Sequence, residues 1–488
     1  MKKILLTHSY LLINDLKQFK LGQPYAPLGT LYAASALKKS GFDITFYDPT
    51  FANSANNITP EIISANPGIV IVYDDCFNYI SKMCLTNMRE VCYRVIDIAK
   101  NHNCTVIICS SDATDNYKLY LDRGADFIII GEGENTLVEL TEKLEWENIT
   151  DYKNIKSIAW KSSEGIMVTS QREIITDLDN LPFPAWEMLD VEKYKQVWLS
   201  KNGYFTINMV TTRGCPYQCV WCAKPIYGNH YNSRSPLNVV LEMKLLNELF
   251  DPDYIWFADD IFALKPGWIE EFARLTSEHQ TVIPFTIQTR ADLLLSDSQI
   301  KPLAAAGCVR IWLGVESGSQ KILDAMNKGI TVEQIYEASV KLKQSGIKQA
   351  FFIQLGFSGE TKEDIQKTIK LLIDLMPDDI GISVTYPLPG TKFYNDVKKE
   401  LTAKVNWTDS DDLDLLFNNN FSPAFYKILH RYIHKYYRFR QALYFTVNFH
   451  KKGFNTKTHM KRILLTPYYL FFTILFKIRL MILENAGK

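Results

Sequence analysis

The sequence predicts an α/β fold with two β/α sections and a helical C-terminal region. Short apolar runs alternate with helical stretches over residues 1–145, and the same alternation returns over 201–395. Runs of β-forming residues separated by helices predict parallel sheets with helices on both faces. Residues 146–200 lie between the two sections and are predicted to form a linker, with a β-hairpin followed by an extended strap. Pro182 and Pro184 disfavour a helix in the strap.

The composition indicates a globular protein rather than a nucleic-acid-binding or disulfide-linked one. Of the 488 residues, 47% are hydrophobic and 22% are charged, and the formal net charge is zero. The nine cysteines are odd in number, and the apolar run at the N-terminus breaks at His8 without a small-residue cleavage site. We therefore expect a monomer in the reducing cytoplasm, where clustered thiols serve metal binding or catalysis.

Residues 1–145 predict a Rossmann-like domain with a parallel sheet of five strands. The strand signals are KILLTHS, FDITFYD, PGIVIVYDD, TVIICSS and DFIIIGEGE; LGTLYAASALKKSG and KMCLTNMREVCYRVIDIAKNHN predict helices. Ligands of such sheets lie at the C-terminal ends of the strands. Small, acidic and glycine residues stand at several of those ends, which suits a wide, flat ligand that approaches the backbone closely.

Residues 201–395 predict a partial (β/α)6 barrel of the TIM type. Six strand signals, FTINMVTT, YIWFADD, PFTIQTR, VRIWLGVES, QAFFIQLGF and DDIGISVTYPL, alternate with helical stretches. The chemistry of such barrels takes place at the C-terminal ends of the strands. We therefore expect the functional residues of this section directly after its strand signals.

Residues 396–488 predict a helical C-terminal region with strong positive charge. From Phe421 onward the chain has 13 lysine or arginine residues and one acidic residue, Glu484. The apolar stretch 463–476 is shorter than the ~20 residues of a membrane span, and Pro467 interrupts it. Two interpretations stay open: a core or domain-docking helix, or a surface for peripheral contact with a membrane or a lipid substrate.

Three cysteines, Cys215, Cys219 and Cys222, stand close together in the segment TTRGCPYQCVWCAKP. Structural zinc usually needs four ligands, often from two CxxC pairs, and no second pair follows within roughly 80 residues. Three thiolates suit an iron–sulfur cluster better, because one iron then stays open for an exogenous ligand. Gly214 and Pro216 fit a tight loop after the strand FTINMVTT.

The CxxxCxxC motif, with an aromatic residue before its last cysteine, resembles the radical S-adenosylmethionine (SAM) superfamily. Further segments resemble that superfamily in the same order along the chain. They are FADDIF (257–262), QTRADL (288–293), LGVESGS (313–319), QLGFSGET (354–361) and YPLPGTKFY (386–394).

The resemblance implies a role for each matching residue. Cys215, Cys219 and Cys222 are expected to hold a 4Fe–4S cluster whose open iron chelates SAM. The residues implied to bind SAM are Trp221, Asp259, Asp260, Arg290, Glu316, Gln354 and Gly356. The sequence lacks the Gly-Gly-Glu-like stretch of many relatives, so which acid binds the amino group stays open. Structural alternatives are a helix cap by Asp259 and an ion pair of Arg290 with Asp292.

The front section resembles the cobalamin-binding domain that is fused to many radical SAM enzymes. YAPLGTLYAASALKKSGFDITFYD resembles its opening helix and second strand, and GADFIIIGEGENTLVELTEKL its closing strand and helix. The residues implied to bind cobalamin are Leu28, Gly29, Tyr73, Asp74, Ser110, Ser111, Gly131, Glu132, Gly133 and Glu134. The chain lacks Asp-x-His-x-x-Gly, so cobalamin is expected without the histidine of that motif. A vestigial domain, or an ordinary strand–helix turn at the glycines, stays open.

Together the two resemblances imply a cobalamin-dependent radical SAM methyltransferase. The expected reaction uses a 5′-deoxyadenosyl radical to activate an unactivated carbon and methylcobalamin to deliver a methyl group. The first alternative is a non-methylating cobalamin-dependent radical SAM oxidoreductase or cyclase, and a weaker one is a non-enzymatic iron–sulfur electron carrier or sensor. A methylthiotransferase would need a second cluster, but Cys76, Cys84 and Cys92 are expected in core or helical positions.

The expected partners are a small-molecule substrate and a protein reductant such as flavodoxin or ferredoxin. The apolar stretch 463–476 favours a hydrophobic substrate, and it is the segment through which peripheral contact with a membrane stays open. Nucleic acid is not expected as a partner, because the chain carries no net positive charge.

Overall fold

The computed structural model describes residues 3–77, 81, 85–146, 152–222, 226–449 and 457–486. The fold is α/β with two parallel sheets and a helical C-terminal region, as the sequence predicts. The front domain has a seven-stranded sheet in the order β2-β1-β3-β4-β5-β6-β7. Its strands are β1 (Ile4–Thr7), β2 (Ile44–Phe46), β3 (Ile69–Tyr73), β4 (Thr105–Cys109), β5 (Phe127–Ile129), β6 (Ile158–Ser162) and β7 (Gly165–Val168).

Both faces of this front sheet are covered by helices. The helices of the domain are α1 (Leu16–Leu21), α2 (Leu28–Lys39), α3 (Thr59–Ala65), α4 (Thr86–Asn101), α5 (Ser111–Arg123) and α6 (Glu134–Trp146). In the central strand β3, Ile69 and Ile71 pack into the core with α2 and α6, whereas Val70 and Val72 pack into the core with α4 and α5. The strand is buried on both sides, which explains its continuous apolar run.

The segment 146–200 connects the two sheets and also extends the first one. Its hairpin, β6 and β7, pairs antiparallel with β5, while β1 to β5 are parallel. After the hairpin an extended strap leads to α7 (Val191–Asn202). In the strap, the Ala185 N–H donates to the Leu31 carbonyl (3.1 Å), and the Trp186 indole N–H donates to Glu242 Oε1 (2.9 Å). These bonds fasten the strap to α2 on one side and to the barrel on the other.

The second section is a six-stranded parallel sheet that curls into a half-barrel. Its strands follow the chain in the order β8-β11-β12-β13-β14-β15, and each pairs with the next one along the chain. They are β8 (Thr206–Met209), β11 (Tyr254–Phe257), β12 (Phe285–Thr289), β13 (Cys308–Glu316), β14 (Lys348–Leu355) and β15 (Asp379–Val384). A short antiparallel ribbon, β9 (Thr212–Arg213) with β10 (Asn232–Ser233), follows β8.

Helices cover the outer face of the half-barrel. They are α8 (Pro236–Phe250), α9 (Trp268–Glu278), α10 (Asp297–Ala305), α11 (Gln320–Ala325), α12 (Val332–Ser345) and α13 (Lys362–Leu375). Thr331 and Thr361 begin α12 and α13 with capping boxes, in which side chain and backbone satisfy each other's hydrogen bonds. Along β13, Ile311, Leu313 and Val315 are fully buried, whereas the side chains that alternate with them, such as Trp312, are only half-buried. The second set lines the inner face of the half-barrel.

The C-terminal region contains α14 (Lys392–Val397), α15 (Pro423–Asn448), α16 (Lys457–Leu464) and α17 (Thr466–Ala486). Ser422 caps α15, and Pro423 occupies its first turn. Leu429, Ile433 and Tyr437 on α15 are buried in the core of the barrel. Helix α15 thus docks this region onto the half-barrel.

Helix α17 departs from the sequence-based expectation in two ways. Pro467 was expected to interrupt the apolar stretch, but it lies in the first turn of α17, where its missing N–H breaks no helical hydrogen bond. The helix therefore continues past 463–476 to Ala486. Among the described residues it is the single helix with the length and apolarity of a membrane span, over Thr466–Glu484, and only 17% of that window is buried. This exposure is unlike that of a core helix.

Candidate active site at the junction of the two sheets

The C-terminal edge of the front sheet meets the start of the cysteine loop of the half-barrel. Arg213 on β9 lies two residues before Cys215 and reaches across the junction. Its guanidinium donates to Glu132 Oε1 (2.5 Å) and to Glu134 Oε1 (2.7 Å), which follow β5. All three side chains are almost fully buried. The junction is therefore closed by a buried cation between two carboxylates.

Aromatic rings surround this buried cation. The Arg213 guanidinium lies 5.3 Å from the ring centroid of Tyr32, 5.5 Å from Phe77 and 5.3 Å from Tyr227, within the range of cation–π attraction. Phe77 and Tyr227 come from the two different domains and stack with centroids 5.4 Å apart. Burial opposes the charge of Arg213, but Glu134, Tyr227 and Glu132 more than offset it and hold the pKa of the guanidinium well above its ordinary value.

The cysteine loop is held in place by its backbone. Gly214 has a φ of +79°, and a Cβ atom added there would lie 2.5 Å from the His230 carbonyl oxygen, so only glycine fits. Further along, the Val220 N–H donates to the Met326 carbonyl (3.0 Å), and the Val220 carbonyl accepts from the Phe393 N–H (2.9 Å). The loop is thus fixed independently of its cysteine side chains, of which Cys215 is buried and the others are half-buried.

Asp259, at the end of β11, supports the beginning of this loop. It accepts hydrogen bonds from the Thr211 N–H (2.7 Å), the Thr211 hydroxyl (2.6 Å) and the Thr212 N–H (2.9 Å). Burial raises the pKa of Asp259 to about 6, although these donors favour the charged form. Its carboxylate is committed to the loop, not to a helix cap. Asp260, the next residue, is half-buried.

Arg290, at the end of β12, pairs with Asp292, as the structural alternative expected. Its Nε donates to Asp292 Oδ1 (2.9 Å), and Nη2 donates to the Gly329 carbonyl (3.3 Å). The guanidinium also lies 3.7 Å from the ring centroid of Tyr217, which belongs to the cysteine loop. Arg290 therefore stacks under that loop and orders it.

Glu316, at the end of β13, forms a buried ion pair with Lys328 (2.8 Å). Its φ of +61° is unusual for a residue with a side chain and is typical of constrained functional positions. Burial lowers the pKa of the Lys328 ammonium, but Glu316 and the nearby Cys219 raise it more, so the pKa lies above its ordinary value. Sequence reasoning missed Lys328, because no local pattern marks it; in the structure it lies in the Asn327-Lys328-Gly329 turn, which packs against the cysteine loop.

Comparison with known proteins agrees with this arrangement. The model of the radical SAM superfamily matches residues 209–372, and the model of the B12 binding domain matches residues 19–141. The chain therefore carries a radical SAM domain behind a B12-binding front domain.

Relatives of this radical SAM protein cover most of its length. An uncharacterized methyltransferase of Pyrococcus horikoshii is 26% identical over 81% of this chain and 83% of its own. The anaerobic magnesium-protoporphyrin IX monomethyl ester cyclase of Rubrivivax gelatinosus is 29% identical over 79% and 68%. Among solved structures, the cobalamin-dependent SAM radical enzyme OxsB with aqua-cobalamin matches with a TM-score of 0.73 at 16% identity, covering 98% of this chain and 72% of its own.

The cysteine loop of this radical SAM domain fits an iron–sulfur cluster better than a single metal ion. Among the described residues, no group of three His, Cys, Asp or Glu side chains is placed to hold one ion. In a 4Fe–4S cluster each thiolate binds a different iron, so the thiolates need not converge on one point. Sulfur is also the donor that such clusters require. Of the front cysteines, Cys76 and Cys92 are buried core thiols, and Cys84 lies outside the described residues.

Two buried polar atoms, one in the loop and one near the end of β14, fit a bound SAM. Trp221 Nε1 and Gln354 Oε1 are shielded from solvent and have no hydrogen-bond partner in the described part of the chain. Buried polar groups are rarely left unpaired, so a ligand at this position would remove a cost of about 1–3 kcal/mol for each. Gly356, two residues after Gln354, instead donates its N–H to Glu360 Oε2 (2.8 Å).

The predicted cobalamin residues lie along one edge of the front sheet, where most of them contact neighbouring residues of the same domain. The Tyr73 carbonyl accepts from the Thr30 hydroxyl (2.6 Å), and Asp74 accepts from the Ser9 N–H (2.7 Å). A Cβ atom added at Gly133 would lie 2.6 Å from Cys109 Sγ. The remaining contacts involve Leu28, which is buried at the start of α2; Gly29, which donates to Asp75; Ser110, which caps α5; Ser111, which donates to Ser81; and Gly131, which donates to Thr114.

Glu134, at this edge, has a carboxylate oxygen that can accept a further hydrogen bond. Glu134 Oε2 is buried and has no hydrogen-bond partner among the residues that the structure describes. It faces the same junction as Arg213, where a cofactor of the front domain would meet the cysteine loop. The edge therefore fits a cobalamin bound against the junction, with Glu134 as an acceptor for one of its amide donors.

Glu360, which follows Gly356 in the motif QLGFSGET, is expected to make the free energy of unfolding depend on pH. Burial raises its pKa to about 8 from an ordinary value of 4.5. The folded protein thus keeps a proton that the unfolded chain releases. As the pH rises between those values, the free energy of unfolding should fall by about 1.4 kcal/mol per pH unit.

We expect Glu360→Gln to remove this slope and to be more stable than the parent at pH 8, measured by denaturant unfolding. Glu363→Gln, an exposed acid three residues away, is the control and should keep the slope.

Proposed function

We propose that this chain is a cobalamin-dependent radical SAM methyltransferase that acts on an unactivated carbon of a hydrophobic small molecule. The observation that carries the proposal is the junction at Arg213, which joins the cofactor edge of the front sheet to the loop of Cys215, Cys219 and Cys222. Two cofactors that act on one substrate must lie within reach of each other, and this junction brings their sites together. The relative from Pyrococcus horikoshii, named as a methyltransferase, adds support.

The chain's own residues would bind and orient the reactants. Cys215, Cys219 and Cys222 would hold the 4Fe–4S cluster, and Trp221 and Gln354 would hydrogen-bond SAM. Lys328 would hold the Glu316 carboxylate in one orientation, ready to accept from a hydroxyl or ammonium of SAM. When bound, the cluster and SAM supply radical chemistry, and cobalamin supplies the methyl group.

The inner face of the half-barrel supports a hydrophobic substrate. Trp312 on β13 and Phe352 on β14 stack there with centroids 4.6 Å apart. Both side chains are half-buried, as is Trp256 on β11. Gly381 on β15 allows this stack, because a Cβ atom there would lie 3.2 Å from the Trp312 ring. An inner face of half-buried aromatic rings suits a flat or polycyclic apolar molecule.

A non-methylating radical cyclase is the second candidate. The relative from Rubrivivax gelatinosus, named as a magnesium-protoporphyrin IX monomethyl ester cyclase, favours it, and the aromatic inner face suits a large flat ring as well. An electron carrier would need neither the Glu316–Lys328 pair nor the aromatic inner face.

The test is an anaerobic reaction with SAM labelled in its methyl group. Reconstituted enzyme with methylcobalamin and reduced flavodoxin is mixed with a hydrophobic metabolite extract and analysed by mass spectrometry. We expect 5′-deoxyadenosine, S-adenosylhomocysteine and a product that carries the labelled methyl group. Cys222→Ala should yield none of the three. 5′-Deoxyadenosine without label in any product would favour the non-methylating alternative, and absence of both nucleosides would refute radical SAM chemistry in this chain.

The remaining partners follow from this chemistry. We propose a low-potential reductant of the flavodoxin or ferredoxin type and a reducing cytoplasmic location, because the cluster must be reduced to react with SAM. We also propose that the enzyme works as a monomer. Its zero net charge supports the further proposal that it acts without nucleic acid.

A further inference from the structure

The C-terminal helices expose an unusual amount of apolar surface. Nearly half of the large hydrophobic side chains that are exposed in the described structure lie between Leu443 and Ile482. On α17, Phe471, Ile474 and Ile478 are 62%, 52% and 52% exposed. They follow a spacing of three and four residues, which places them on one face of the helix. We call Phe471, Ile474, Ile478 and Ile482 the apolar stripe.

This stripe cannot turn inward, because the opposite face of α17 is already packed. Phe476 and Leu480 are buried against the rest of the protein. Lys435 on α15 donates to the Tyr468 hydroxyl (2.9 Å), and Lys362 on α13 pairs with Glu484 (2.6 Å). These contacts fix the rotation of α17 near both of its ends, so the stripe faces outward in the folded chain.

The charge around the stripe is strongly positive. The chain from Phe421 onward has 13 basic residues and one acid, although the net charge of the whole protein is zero, so the rest of the chain carries an equal negative excess. Lys477 and Arg479 are exposed beside the stripe. A helix with an apolar face flanked by cations is typical of helices that lie in the interface of an anionic membrane.

A cleft next to the stripe also combines apolar surface with positive charge. It has a volume of about 430 Å³ between α15 and α17. Arg431 and Lys435 line one side, and Tyr468, Phe472 and Phe476 line the other. Cations beside aromatic rings suit a lipid, whose phosphate would meet the cations while its glycerol and first acyl carbons meet the rings.

We propose that α17 docks the enzyme on an anionic lipid bilayer, lying in the plane of the interface with its apolar stripe in the acyl region. A spanning orientation is disfavoured, because it would place the charges of Lys477 and Arg479, near the middle of the helix, in the bilayer core. A second copy of this chain is disfavoured as the occupant, because two strongly positive regions would repel each other.

Vesicle flotation of the full-length protein tests the proposal. We expect the protein to float with phosphatidylcholine vesicles that contain about a third phosphatidylglycerol, and to float less with phosphatidylcholine alone or at high salt. Phe471→Glu with Ile478→Glu should weaken binding at least about tenfold, because each change removes buried apolar area and adds repulsion. Leu237→Glu with Leu249→Glu on α8, a matched pair of exposed leucines, should bind like the parent.

Two further readouts complete the test. Lys477→Gln with Arg479→Gln should lower binding to anionic vesicles and leave binding to phosphatidylcholine unchanged. Circular dichroism should show parent-like helix content and melting for all variants, since every changed side chain is exposed. No flotation by the parent, or flotation that the stripe variant retains, would overturn the proposal. Light scattering that shows a dimer dissociated by the stripe variant would assign the stripe to a second copy instead.

Discussion

A Cys219→Ala variant should fold but fail to hold iron and to cleave SAM. Removing one of three thiolates leaves a second iron of the cluster without a protein ligand, beside the one that is open for SAM. Loss of a residue that only hydrogen-bonds to a metal ligand typically lowers metal affinity by about 10–100-fold, so loss of a direct ligand should exceed a hundredfold. The loop itself should persist, because the Val220 bonds to Met326 and Phe393 do not involve the cysteine side chain.

The measurement is iron and sulfide content, visible absorption and 5′-deoxyadenosine yield after anaerobic reconstitution. Cys104→Ala is the control, since Cys104 is a buried core thiol of the front domain. We expect it to keep iron and SAM cleavage at the parent level. If Cys219→Ala kept its iron, or if Cys104→Ala lost it equally, the assignment of the cluster to the cysteine loop would be wrong.

The sequence was sufficient to predict the central strands of the two sheets, because each strand is marked by a local pattern of residues. Each central strand is a continuous apolar run, such as Ile69–Tyr73, bounded by glycine, proline or acidic residues. Parallel neighbours joined by helices then follow the chain order of the half-barrel with little ambiguity. The strand-end motifs of the barrel were found in the same way, because the ends of the strands mark their positions.

The sequence was insufficient where polar side chains meet over long distances in the chain. Arg213 and Glu132 are 81 residues apart, and nothing in the local pattern of either segment indicates that they form an ion pair. The Glu316–Lys328 pair spans only 12 residues, and it was missed because a lysine in a turn is usually solvent-exposed. Pro467 was misjudged because proline breaks a helix in its interior but starts one in its first turn.

These long-range pairs also explain why the cysteine loop is ordered. Asp259 holds Thr211 and Thr212, Arg290 stacks on Tyr217, and Val220 is bonded to the turn before Lys328. Two strand ends of the barrel and the turn before Lys328 thus each contribute a contact to the loop. A reactive cluster needs such support, because its ligands must keep one geometry while substrates enter and leave.

An Arg213→Met variant should lower the free energy of unfolding by about 3–5 kcal/mol. The change removes the one buried cation between Glu132 and Glu134 and leaves two buried carboxylates facing each other without compensation. Methionine fills much of the space among Tyr32, Phe77 and Tyr227, so lost packing contributes little. The measurement is anaerobic urea unfolding, together with the amount of cobalamin that the purified protein retains.

Neutralising the two carboxylates separates the electrostatic effect from a general loss of packing. Adding Glu132→Gln and Glu134→Gln to Arg213→Met should restore much of the lost stability, because no buried charge remains unpaired. The same triple variant should still retain less cobalamin than the parent if Glu134 accepts from that cofactor. The free energy of unfolding of Arg213→Lys should lie between those of the parent and of Arg213→Met. A lysine keeps the positive charge, but one ammonium cannot donate to both carboxylates in the fork geometry of a guanidinium. Equal stability of parent and Arg213→Met would show that the two domains are held together by other contacts, such as Trp186 with Glu242.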